Sequence, residues 1–184
     1  MVTHRLTMEL TRAESLAVML ANSRAAAVME VSDLLAGMYI YRWERLSKYW
    51  NADHREQVES LLQQICQISP QRWNYWIQLY DKKRREGEKQ RGWLPPWKLT
   101  KPQPEGKTLN HSAALTLLLK QAEEIAPSHD SIDGRDLPIL TSECVLLCIV
   151  RASQSEISRK LASSGLDVPK LEKNALSSRR AARD

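Results

Sequence analysis

The run from Gly92 to Gly106, "GWLPPWKLTKPQPEG", carries four prolines and two glycines in fifteen residues. Proline has no backbone N–H to donate and its ring blocks the preceding turn, so neither a helix nor a central strand crosses this run. The chain of 184 residues must therefore organise itself on either side of an extended break. Its length fits one ordinary domain or two small ones.

Both flanks read as helices. "TRAESLAVMLA" opens with a capping box, Thr11 as N-cap and Glu14 three residues on, followed by a stripe of Ala13, Leu16, Ala17, Leu20 and Ala21. Ser32 or Asp33 caps a second helix with Leu34, Leu35, Met38 and Tyr41 in phase, and a third spans about Asp53 to Gln67. Ser69-Pro70 is an N-cap followed by proline at the first helical position, where its missing N–H costs nothing. The helix it starts places Trp73, Trp76, Ile77 and Tyr80 on one face and ends in the polar "KKRREGEKQ".

Beyond the break, helix resumes at Asn110, with Ala114, Leu117, Leu118, Ala122 and Ile125 on one side. Pro127 to Leu140 reads as a polar loop. A helix from Ser142 to Arg151 follows, then another from Ser155 to Ser163, closed at Gly165, where glycine can take the left-handed conformation. Asp167 and Pro169 start the last helix. No segment alternates as a strand would. The expected fold is all-α: two tandem, pseudo-symmetric four-helix repeats over residues 6–81 and 108–176, a basic Pro/Trp linker over 82–107, and a basic tail over 177–184.

The net charge of +5 is unevenly spread. Residues 82–107 hold nine Lys/Arg against three Glu, and residues 170–184 hold five against two acids, which leaves −4 for the rest. Lys82, Lys83, Arg84 and Arg85, with Arg179 and Arg180 in the tail, form the basic patch that could meet phosphate. Aromatic residues are segregated too. All six Trp and all five Tyr lie between Tyr39 and Trp97, and Phe is absent, so the second half builds its core from aliphatic residues and cysteine.

No apolar run approaches the roughly 18 residues a spanning helix needs. The run Leu16 to Ala21 is short and closely flanked by charge, unlike a signal peptide. Three irregularly spaced cysteines make no disulfide framework, and the expected compartment is the cytoplasm.

The two halves echo each other. Ala17 and Ala21 answer Ala122 and Ala126, and "SDLLAGM" (Ser32 to Met38) answers "ECVLLCI" (Glu143 to Ile149), with a loop about six residues longer in the second half. "QAEEIA", "TSECVLLCIV" and "SEISRKLASSGLDVPKLEKNAL", with the Gly165-Leu166-Asp167 turn after Leu161, resemble the N-terminal repeat domain of the Clp/Hsp100 AAA+ unfoldases. The first half resembles it through "LAVMLA" and "SDLLAGM". Cys144 and Asp33 stand where that family usually has His, and the aromatic helix and linker have no close counterpart in it. No G-x-x-x-x-G-K-[ST] motif occurs. The resemblance implies a stand-alone docking domain that binds a Clp-type unfoldase, an adaptor or a substrate and performs no chemistry.

The candidate chemical groups point the same way. Cys144 and Cys148, four residues apart on one helix face, read as buried apolar thiols beside Gly165 and Asp167 as structural positions. His4, His54, His111 and His129 have no metal-ligand spacing, and Asp130, Asp133 and Asp136 lack the glutamate a calcium loop requires. No catalytic residue, metal site or cofactor is expected. For partner contact the candidates are Trp93, Pro95, Pro96 and Trp97, with Tyr75 and Trp50 off the buried stripes. The Trp pair either clamps the linker onto a domain or supplies a peptide-like docking motif. The competing class is a helical regulator bound to nucleic acid through the basic linker and tail, with Trp93 and Trp97 stacking on bases.

Overall fold

The computed structural model of the protein describes residues 5–50, 55–91, 109–126, 128–129, 137–152 and 155–177. These residues are mostly helical, as the periodicity predicts. In chain order they form β1 (Arg5–Leu6), α1 (Met8–Ser23), β2 (Val28–Met29), α2 (Val31–Leu46), a 3-10 turn over Ser47–Tyr49, α3 (Arg55–Cys66) and α4 (Pro70–Arg91). Then come β3 (Asn110–His111), α5 (Ala113–Ile125), β4 (Ser128–His129), β5 (Leu137–Leu140), α6 (Ser142–Arg151), α7 (Glu156–Ser163) and α8 (Val168–Ser177).

The short strands correct the expectation of none, and β4 and β5 occupy part of the predicted polar loop. Segments of two to four residues carry too little alternation to be read, and remote partners create them. β1 pairs in parallel with β5, Leu6 opposite Leu140, while β4 pairs antiparallel with β5. β2 pairs in parallel with β3, Met29 opposite His111.

Each parallel pair hands the chain to a helix in the same way. The Thr7 N–H donates to the Leu140 carbonyl at 3.0 Å, and the Thr7 hydroxyl accepts from Leu10 N to cap α1. The Ser112 N–H donates to the Met29 carbonyl at 2.9 Å, and its hydroxyl accepts from Leu115 N to cap α5. Hence α1 starts one turn before the predicted Thr11, whose hydroxyl instead bonds back to the Thr7 carbonyl. Helix α5 starts at Ala113, because Asn110 and His111 are engaged as strand.

α2 begins at Val31, with Asp33 reaching back to accept the Glu30 N–H at 3.0 Å. α4 starts at Pro70 as predicted but continues to Arg91, so residues 82–91 are helix rather than linker. Gly165 has φ +76° between α7 and α8, the left-handed closure predicted for it. The linker break from Gly92 onward lies outside the described residues.

One core runs through both flanks of the break. α1 lays Leu10, Ala13, Leu16, Ala17, Leu20 and Ala21 against α2, all buried, and the alanines let α2 approach closely at Gly37. α6 is buried from Glu143 through Ile149 and packs against α5, α7 and α8. Trp73 and Trp76 join the core as predicted; Tyr39 tilts against Trp73, and Tyr80 meets Tyr41 edge-on.

The turn after α2 locks onto the far side of the molecule. Tyr49 O accepts the Asp167 N–H at 2.8 Å, the Tyr49 hydroxyl accepts from Asn174, and Lys170 Nζ donates to Lys48 O at 2.6 Å. Next to it, Arg45 bridges Glu143 at 3.0 Å and Glu9 at 2.5 Å.

Candidate functional site

Helix α5 contains Leu115, Leu117, Leu118 and Leu119 within five residues. Successive helical residues rotate by about 100°, so one stripe cannot bury all four. Leu115, Leu118 and Leu119 are buried, and Leu117 is left 58% exposed. It stands on the wall of a groove of about 650 Å³ formed by α5, the end of α6, the start of α7 and the first residues of α2. The groove is predominantly apolar, with Leu118, Cys148 and Ile149 buried beneath it and Leu117, Ile125 and Ile157 beside it.

Local chemistry sets the groove's shape. Ser155 caps α7 by accepting from Ser158 N at 3.0 Å, and the Ser158 hydroxyl donates to Val150 O at 2.5 Å. Buried Ser158 thereby pins the first turn of α7 against the last turn of α6, and Ile157 faces the opening. Gln121, Ser32 and Ser155 supply the few uncharged polar groups.

The charged groups at the groove are Glu30, Glu124 and Arg151, all exposed. The Arg151 guanidinium is committed to an ion pair with Glu172. Burial pushes the Cys148 thiol up to about 11, with Cys144 adding to the shift and Arg151 opposing it. The thiol is therefore protonated at neutral pH and forms part of the apolar floor.

Cys144 behaves alike. It is fully buried, its pKa is raised chiefly by burial, and its Sγ accepts from the Thr141 hydroxyl at 3.3 Å. Both were predicted as core thiols, and both are free of disulfides and buried. Asp167 accepts Lys170 N at 3.0 Å through its side chain, capping α8.

The predicted partner-contact residues fare differently. Tyr75 is 59% exposed and packs edge-on against Trp76. Trp50 is a correction: it is 6% exposed, and its indole N–H donates to the Ser164 hydroxyl at 2.9 Å. It turns inward because the 3-10 turn aims it at the α7–α8 junction, a contact no local spacing signals. Trp93, Pro95, Pro96 and Trp97 lie outside the described residues, as do Arg179 and Arg180. Lys82 is exposed on α4; Lys83, Arg84 and Arg85 continue that helix, their side chains outside the described set.

The resemblance allows a groove between the two repeats as an alternative to the linker, but sequence reading did not place the residues that line it. The signal available was the leucine excess on α5, one more than a buried stripe accommodates. It also missed the pairing of His111 with Glu14 at 2.9 Å and the buried Asp33, held by Arg24 at 2.5 Å. Among the described residues, no group of three or more His, Cys, Asp or Glu side chains is placed to hold a metal ion, and no helix is long and apolar enough to cross a membrane.

Comparison with protein-family models gives no match, and comparison with curated protein sequences gives none either.

Proposed function

We propose that this chain is a non-enzymatic protein-binding module of the Clp N-terminal kind, which docks to a Clp-type unfoldase, its adaptor or its clients through the groove beside Leu117. The observation that carries docking is an apolar groove of about 650 Å³ with an exposed leucine on its wall. Sites of this size and character commonly receive a ligand.

The repeat reading is supported by the duplicated strand-to-helix hand-over. Thr7 and Ser112 stand at equivalent points, as do Leu10 and Leu115, Ala17 and Ala122, and Ala21 and Ala126. Exchanging the two halves turns the β1–β5 pair into the β3–β2 pair. The left-handed Gly165 before Asp167 matches the turn on which the resemblance chiefly rests.

The test is equilibrium binding of the full chain to purified Clp-type unfoldases and adaptors, with Leu117→Gln as the groove variant. Leu117 is mostly exposed, so that variant should fold. Binding should weaken with Leu117→Gln, yet persist from 50 to 200 mM salt and after neutralising Lys82 to Arg85. Phosphate contacts by about six basic residues would instead lose roughly 10³-fold over that range. Steep salt dependence with tight binding to random DNA or RNA would replace this reading with the nucleic-acid one. A loss confined to Trp93→Ala or Trp97→Ala would move the docking site to the linker.

A further inference from the structure

We infer that the groove beside Leu117 is selective for a short apolar segment flanked by lysine or arginine, an inference that rests on the docking reading above. The floor and walls ask for aliphatic side chains, and a volume of about 650 Å³ accommodates several of them. The sign of the flanks follows from the rim. Glu30 and Glu124 are exposed, and neither carboxylate has a hydrogen-bonded or ion-paired partner among the described residues. Among the described residues the cation on the rim is Arg151, and it is neutralised by Glu172.

Helix ends do not reverse that balance. Both ends of α5, from Ala114 to Ile125, line the groove and offset each other. The N-terminal ends of α2 and α7 stand against the C-terminal end of α6, with the Asp33 carboxylate at the start of α2 and Ser155 capping α7. Side-chain carboxylates decide the field. A Lys or Arg on either side of the apolar anchor gains an opposite charge, whereas a Glu or a phosphate meets repulsion.

The probe is a fluorescein-labelled decapeptide with three central leucines and two lysines at each end, compared by anisotropy with its glutamate twin. Exposed ion pairs are individually weak, so the lysine peptide should bind the full chain roughly fivefold to tenfold more tightly at moderate salt. Glu30→Gln with Glu124→Gln should remove most of that preference while leaving binding of the leucine core, and Leu117→Gln should weaken both peptides. Equal affinities, or tighter binding of the glutamate twin, with Leu117→Gln still weakening them, would overturn the charge preference and leave groove docking intact. No binding of either peptide, together with unfoldase or adaptor binding indifferent to Leu117→Gln, would overturn both. Lysine-peptide binding that appears only after deletion of Trp93 to Trp97 would make this chain's own segment the occupant and overturn the inference.

Discussion

A Cβ added to Gly37 would lie 2.2 Å from the carbonyl oxygen of Ala13. That atom belongs to the α1 backbone, which cannot swing aside as a flexible side chain would. Gly37→Ala should therefore push α1 and α2 apart and cost roughly 1–3 kcal/mol, the usual scale of overpacking. The gain in helix propensity, about 1 kcal/mol, offsets only part of the strain. Urea unfolding measures the balance, and an unchanged or raised midpoint would show that the two helices have room to part.

The contact between Trp50 and Ser164 ties the end of the α2 segment to the end of α7. Ser164→Ala would leave a buried indole N–H without its acceptor, costing about 1–3 kcal/mol. Trp50→Phe removes the donor as well, so the double variant should be less destabilised than the sum of the single ones. Strict additivity in that cycle would mean that the two residues do not meet in solution.

Gly165 separates backbone strain from crowding. Its φ is +76°, yet no atom lies within 4 Å of where a Cβ would stand. Gly165→Val should cost on the order of 1–2 kcal/mol through left-handed strain alone. Asparagine tolerates this conformation better, so Gly165→Asn should cost less. Equal thermal midpoints for the two variants would contradict the assignment of the cost to φ.

The thiols predict an alkaline weakness. Burial pushes Cys148 up to about 11 and Cys66 up to about 12, against 9.0 for an unhindered thiol. As pH rises above 9, the unfolded chain sheds protons that the fold retains, so stability is intact below 9 and falls as pH rises toward 11. The slope is about 1.4 kcal/mol per pH unit for each such thiol. Cys148→Ala should flatten this fall while costing roughly 1–2 kcal/mol of packing at neutral pH. Denaturant midpoints across the window test the slope. Rapid labelling of Cys148 or Cys144 by a thiol reagent in the native protein at neutral pH would refute the buried assignment.

What the sequence disclosed was local. The bounds of α6, the Ser69-Pro70 start of α4 and the Gly165 closure all follow from side chains within a turn of the feature they set. The hidden parts depend on distant residues. β1 exists because Leu6 meets Leu140, and that pairing moves the α1 cap to Thr7. Trp50 is buried because Ser164 lies opposite it. For the candidate site, the leucine surplus on α5 was legible, but the identity of the exposed leucine required the packing of α6 and α7. The acidic rim was not legible, because Glu30 and Glu124 come together only through the fold.

The crosswise strand pairing carries a hazard of its own. Because β1 takes its partner from β5 and β2 takes its partner from β3, neither half supplies both members of either parallel pair. The first half produced alone would expose the Thr7 N–H and the Met29 carbonyl, and the second half the Leu140 carbonyl and the Ser112 N–H, with nothing to engage them. The missing strand can come as readily from a neighbouring molecule as from the same one, since the hydrogen bonds are identical. Crowded full-length chains are therefore inclined toward reciprocal exchange of whole halves, and the length of the Gly92–Gly106 run sets how easily a chain satisfies itself first.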